Sequence, residues 1–112
     1  MEFAVATYRF CRTLPRTDEG RELAGQLRRA ASSVAANYRA SRRGKSHRDF
    51  ASRIGTVIEE ADEAMFWLDF LVRVDLATAS IVKPLSTEAN ELVSIFTTAQ
   101  KTARSQTQER RR

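Results

Sequence analysis

The residues best equipped to act on something are arginines. Arg28, Arg29, Arg39, Arg42, Arg43, Lys45, Arg48 and Arg53 lie between positions 28 and 53 against a single acid, Asp49, so this window carries +7. A guanidinium presents two parallel N–H donors that match a pair of phosphate oxygens. A concentrated cationic region also draws polyanions and speeds their encounter. The competing explanation is a solvated face, or one matched by acids elsewhere in the protein. The segment from Arg104 to Arg112 adds four arginines against Glu109, for +3, while the remainder holds 7 basic and 12 acidic residues. The formal net charge of +5 is therefore unevenly spread.

Other chemistry finds little support. Arg43-Gly44-Lys45-Ser46 has the look of the end of a phosphate-binding loop, but that loop needs a glycine five residues before Gly44 and a preceding strand. Arg39 stands there, on a helical stretch. Glu59, Glu60, Asp62 and Glu63 form an acidic cluster. A di-iron bundle needs carboxylates from several helices together with Glu-x-x-His motifs, and His47 is the one histidine. Pairing with Arg28 and Arg29, within the chain or across subunits, is the simpler role, at about 0–1 kcal/mol for each exposed pair. With one cysteine and one histidine there is no nucleophile–base pair and no ligand set. The expectation is a non-enzyme with no catalytic residue, cofactor or metal. Cys11 reads as a small packing residue and His47 as a loop residue.

The elements that must position the arginines are helical. At 112 residues the chain fits one domain. Its 42% hydrophobic and 29% charged content is that of a globular protein, and 4 Gly with 2 Pro disfavour a turn-rich β fold. Phe3, Thr7, Phe10 and Leu14 share one helical face, and Pro15 ends that stretch. Thr17 or Asp18 caps the next, with Leu23, Leu27, Ala30, Val34 and Ser41 as its inner stripe, Asn37 and Tyr38 flanking it, and Gly44 placed as the residue after the C-cap. Ser46 and Asp49 make a capping-box pattern for a third stretch. There Phe50, Ile54, Val57, Ala61, Ala64, Leu68, Leu71 and Asp75 alternate by 4 and 3. Leu85, Ala89, Leu92, Phe96, Ala99 and Ala103 repeat that spacing in a fourth. Pro84 places its regular part near Lys83. The spacing predicts helices at about 2–14, 18–43, 47–76 and 81–104, followed by a disordered basic tail at 105–112. Amphipathic helices with short joints pack as an all-α, antiparallel up-down four-helix bundle.

Two features go beyond the core. Asn37, near an apolar face, reads as a buried amide satisfied across the bundle that fixes register. Phe66, Trp67, Phe70 and Val74 lie away from the inner stripe of the third helix. A bundle buries one stripe per helix, so this ridge is expected to pack against another subunit. The alternative is cover by a long first or fourth helix.

The run Leu27-Arg28-Arg29-Ala30-Ala31-Ser32-Ser33-Val34-Ala35-Ala36-Asn37-Tyr38-Arg39-Ala40, with Lys45-Ser46, Asp49-Phe50, Ile54-Gly55 and Glu59-Glu60-Ala61-Asp62-Glu63, resembles the four helix bundle protein family. That family is also called the 23S ribosomal RNA intervening-sequence protein family. The resemblance spans roughly residues 10–100. Other members carry an acid and Gly soon after the Asn, where this chain has Arg39, Ala40 and Ser41. The resemblance implies an up-down bundle assembled as a ring-like homopentamer. It also implies likeness in fold to the accessory protein of diversity-generating retroelements, which has a basic surface and works with nucleic acid.

Two functions follow as expectations. The first is a homo-oligomer, pentameric by resemblance, that binds structured RNA, or DNA, through Arg39, Arg42, Arg43, Lys45 and Arg48, with avidity from symmetry. The second is a structural or adaptor oligomer whose basic corner meets a protein client. A lone cysteine suits a reducing compartment. No 18-residue apolar run and no signal-peptide pattern is visible. The expected location is cytoplasmic, without a membrane partner.

Overall fold

The computed structural model describes residues 1–111, with side chains described through Gln108. It is an all-α four-helix bundle: α1 (Glu2–Cys11), α2 (Asp18–Ser41), α3 (His47–Arg73) and α4 (Ala79–Arg111). The backbones approach in the order α1 with α2, α2 with α3, α3 with α4 and α4 with α1, while among the described residues the diagonal pairs touch through side chains alone, as Tyr38 of α2 does with Phe96 of α4. Consecutive helices joined by short turns thus stand side by side, as in an up-down bundle.

Local chemistry sets the helix starts. Thr17 Oγ1 accepts from the Gly20 amide at 3.1 Å, with Asp18 and Glu19 in the first turn of α2. Ser46 Oγ accepts from the Asp49 amide at 3.0 Å. The return bond of this capping box differs from expectation. Asp49 Oδ2 accepts from the Lys45 amide, 3.3 Å away, one residue before the Ser46 amide.

Several boundaries also differ. Helix α1 stops at Cys11, and Thr13 and Leu14 close as tight turns on Phe10 and Cys11, with Leu14 still buried. Gly44 has negative φ, so it is not a left-handed C-terminal residue. Its missing Cβ matters for space: one would sit 3.0 Å from Asp49 Oδ2 and 3.1 Å from the Ser41 carbonyl. Asp75 is exposed, outside the inner stripe, and takes the left-handed conformation with φ 63°. The amides of Asp75 and Leu76 return to the carbonyls of Val72 and Leu71 at 3.1 and 3.0 Å, the double closure that ends α3. Helix α4 starts at Ala79, ahead of Pro84, because buried Val82 anchors the extra turn and its amide bonds Thr78. The Ser80 carbonyl that Pro84 cannot serve lies in that exposed first turn, open to water. Residues 105–111 continue α4 where a disordered tail was expected. No Gly or Pro interrupts them, and Thr107 Oγ1 bonds the Ala103 carbonyl at 3.0 Å. Arg112 lies outside the described residues.

Unequal helix lengths shape the molecule. The 10 residues of α1 reach about 15 Å and the 33 of α4 about 50 Å, inside an envelope of 56 × 21 × 19 Å. Met1, Phe3 and Ala4 line one cleft with Val34, Tyr38, Leu92 and Phe96, while Cys11 Sγ lies 3.7 Å from the Ala24 carbonyl. Beyond Met1, toward Ser41 and Ala103, only α2, α3 and α4 remain. The core divides accordingly. One cluster joins all four helices around Phe3, Leu27, Leu68 and Leu85, and a second holds Val34, Ile54, Val57, Ala61 and Phe96.

Candidate nucleic-acid interface

The three-helix end carries the basic corner. Arg39 is in the last turn of α2, Arg42 and Arg43 follow it, Lys45 precedes α3 and Arg48 is in its first turn. All five are exposed. Among the described residues none of them has a carboxylate within ion-pair distance. The one acid of the corner is engaged: Asp49 Oδ2 takes Arg53 Nε at 3.2 Å as well as the Lys45 amide. The corner is thus a group of uncompensated cations on one turn between two helices.

The two aromatic neighbours are otherwise occupied. The Tyr38 ring packs 5.3 Å from that of Phe96, and Phe50 is half-buried against the second core cluster. Phe50 is not an open stacking platform of the kind that grips single-stranded bases, and the Tyr38 ring, although exposed, leans on Phe96. Asn37 is half-buried, and among the described residues its amide has no hydrogen-bond partner. This corrects its reading as a buried amide satisfied across the bundle: within the single chain it is neither fully buried nor bonded.

One cation was not legible as part of this site. Arg104 of α4 and Arg48 of α3 line one cavity of about 410 Å³, with Thr107 and Gln108 on its α4 wall. The basic C-terminal segment therefore begins at the same pole as the corner, an arrangement visible only once α4 is known to extend past Arg104.

A family model described as 23S rRNA-intervening sequence protein matches residues 1–98. The chain belongs to this family. A protein of unknown function from the S23 ribosomal protein family of Bacteroides thetaiotaomicron is similar in structure, with a TM-score of 0.83. The two are 24% identical, and the match covers 89% of this chain and 93% of the other. That identity shows a shared fold alone. A comparison with curated proteins gave no match.

In this member of the 23S rRNA-intervening sequence protein family, charge is unevenly divided along the bundle up to residue 103, before the basic segment 104–112. Residues 1–48, which form α1, α2 and the corner, hold 11 basic and 4 acidic side chains. Residues 49–103, which form α3 and most of α4, hold 4 and 9. Ion pairs are local, Asp18–Arg21, Asp49–Arg53 and Asp69–Arg73. Within the chain and among the described residues, Glu59 and Glu63 do not pair with Arg28 or Arg29, because they lie on the outer face of α3. Half-burial, then Glu63 and Glu59, push the Glu60 carboxyl pKa up. Among the described residues no three His, Cys, Asp or Glu side chains gather as a metal site, and no helix is long and apolar enough to cross a membrane.

The aromatic ridge of α3 is partly covered. Trp67 and Val74 are half-buried against the first core cluster, whereas Phe66 and Phe70 are 54% and 36% exposed. The three rings interlock, with Trp67 4.9 Å from Phe66 and 5.8 Å from Phe70. Glu63 Oε1 accepts from Trp67 Nε1 at 3.3 Å and holds the indole. Neither α1 nor α4 covers the two phenylalanines.

Proposed function

We propose that this protein is a self-associating bundle, without catalytic chemistry, that binds structured RNA through its α2–α3 corner. The carrying observation is the set Arg39, Arg42, Arg43, Lys45 and Arg48, all exposed and without carboxylate partners among the described residues. Such a corner engages phosphates, so binding is weakly sequence-specific and falls steeply with salt. Phe66 and Phe70 supply the apolar contact between subunits, with Trp67 and Val74 beneath them, and a ring of five is the assembly that the family resemblance implies. Repetition of the corner around a ring adds avidity.

The test is RNA binding by fluorescence anisotropy at about 50 and 300 mM salt, where several phosphate contacts predict a loss of orders of magnitude. Arg42→Glu with Arg43→Glu should abolish most low-salt binding while helicity is retained. Absence of low-salt binding by the unaltered protein, or indifference to that double change, defeats the reading. Nuclease-resistant capture of a protein through the same corner would replace it with an adaptor.

A further inference from the structure

A second cationic site lies at the other end of α2, where α1 turns into it. Pro15 follows the closing turns of α1, and the joint folds so tightly that a Cβ at Gly20 would run into the Pro15 carbonyl. This elbow forms an open cleft of about 480 Å³. Its rim carries Arg12 from the end of α1, Arg16 from the turn, and Arg21 and Arg28 from α2, over a floor that includes Leu14 and Ala24. Arg21 and Arg28 are seven residues apart, two turns on one helix face.

The acids do not balance these four cations. Asp18 pairs with Arg21 at 3.7 Å. Among the described residues, Arg12, Arg16 and Arg28 have no carboxylate within ion-pair distance, although Arg28 is half-buried. The Cys11 thiol beside them stays neutral, since burial pushes it up to about 11 against the opposing pull of Arg28. The guanidiniums of Arg12 and Arg28 both rest on the Tyr8 ring, 5.8 and 5.7 Å from its centre. That shared ring draws two like charges toward one place. A half-buried cation without an anion beside it, in a concave site of ligand size, is a site for an anion.

We infer that the α1–α2 elbow, through Arg12, Arg16 and Arg28, is a phosphate-binding site and a second footprint for the nucleic-acid backbone. The footprint rests on the RNA reading above, whereas the phosphate site does not depend on it. Arg21, Arg28 and Arg39 fall within about 20° of one line along α2, and Arg28 is about 16 Å from Arg39 along the axis. A strand gripped at the corner can therefore run down this face to the elbow.

Two measurements separate the parts. The first is thermal unfolding with sodium tripolyphosphate as probe. The full chain should melt higher with the probe, as should Arg42→Glu/Arg43→Glu, and Arg12→Gln/Arg28→Gln should lose the response. Arg16→Gln, in an exposed turn, should lessen it and serves if the double variant folds poorly. No shift in the full chain, or an equal shift in the elbow variants, overturns the site. The second measurement is the salt dependence of binding to an RNA hairpin. Removing Arg12 and Arg28 should lower the log–log slope by about 2, near one unit per lost phosphate contact. An unchanged slope with a surviving tripolyphosphate response overturns the backbone footprint and assigns the elbow to a free phosphorylated compound. RNA that does not bind the full chain, with that response intact, defeats the corner reading and the footprint but leaves the phosphate site standing.

Discussion

Gln100 Nε2 donates a hydrogen bond to the Ala51 carbonyl at 3.1 Å, tying α4 to the early turns of α3 where α1 no longer stands alongside. The bond exists because position 55 has no side chain. A Cβ on Gly55 would lie 3.0 Å from that same Nε2. Replacing Gln100 by Ala should cost about 1 kcal/mol. Gly55→Ala should be near neutral alone, since its gain of up to about 1 kcal/mol in helix propensity is offset by displacing Gln100. In the Gln100→Ala background the same change should stabilise by nearly that full amount. Urea unfolding of the four proteins checks this. Additivity within about 0.3 kcal/mol would mean that the two positions do not compete for space.

Asp75 gives a second, independent expectation. It holds φ 63° at the end of α3, where a glycine has no steric cost. Asp75→Gly should raise stability by about 0.5–1 kcal/mol, and Asp75→Val should lower it by more, because a β-branched side chain is the worst fit to that conformation. Thermal melts of both variants read the signs. A less stable glycine variant would mean that the Asp75 side chain makes a compensating contact.

The ridge predicts assembly. With Phe66 mostly and Phe70 partly in solvent, Phe66→Glu/Phe70→Glu should leave the single chain folded, at some cost in stability from the Phe70–Trp67 contact. Sedimentation of the unaltered protein should give a multiple of 12.7 kDa, and the double variant should fall to 12.7 kDa itself. Equal sedimentation of the two at micromolar concentration would remove the ridge from the interface.

Cys11 makes stability depend on alkaline pH. Burial pushes its thiol up to about 11, opposed by Arg28, against about 8.5 for a thiol in an unfolded chain. Between those values the unfolded state has released a proton that the folded state keeps, so stability falls as pH rises through that window. Cys11→Ala has no thiol to ionise. Its stability relative to the unaltered protein should therefore improve from pH 9 to 11, as measured by urea unfolding across that range. In the folded protein, alkylation of Cys11 should be slow below that window, and denaturant should accelerate it. A pH-independent difference between the two proteins would contradict the burial.

The core was readable because burial follows periodicity. Ile54, Val57, Ala61, Ala64, Leu68 and Leu71 are buried, as their alternation by 4 and 3 requires. The corner was readable for a different reason: its five cations are neighbours along the chain. Features that depend on backbone conformation were not. Asp75 kept the heptad rhythm yet ends the helix in a left-handed turn. Pro84 is tolerated inside α4 because the carbonyl it leaves unpaired is solvent-facing. Gly44 is favoured by the close approach of Asp49 and the Ser41 carbonyl, not by its φ. The elbow arginines were invisible for a topological reason, since Arg12, Arg16, Arg21 and Arg28 belong to two helices and a turn and converge only when the α1–α2 joint closes.

Up to residue 103, the charge differs between α1–α2 with the corner and the α3–α4 side, which gives the chain a polarity across its narrow width, while the basic segment 104–112 adds positive charge at the corner's end of α4. Copies stacked back to front attract, and copies placed face to face or back to back repel, which favours rings or stacks over mirror-like pairs. On the proposed function, raising ionic strength should act twice, weakening polyanion binding by the arginines and the contacts between neighbouring copies. Charge-reversed variants compared at one fixed salt concentration separate the two effects.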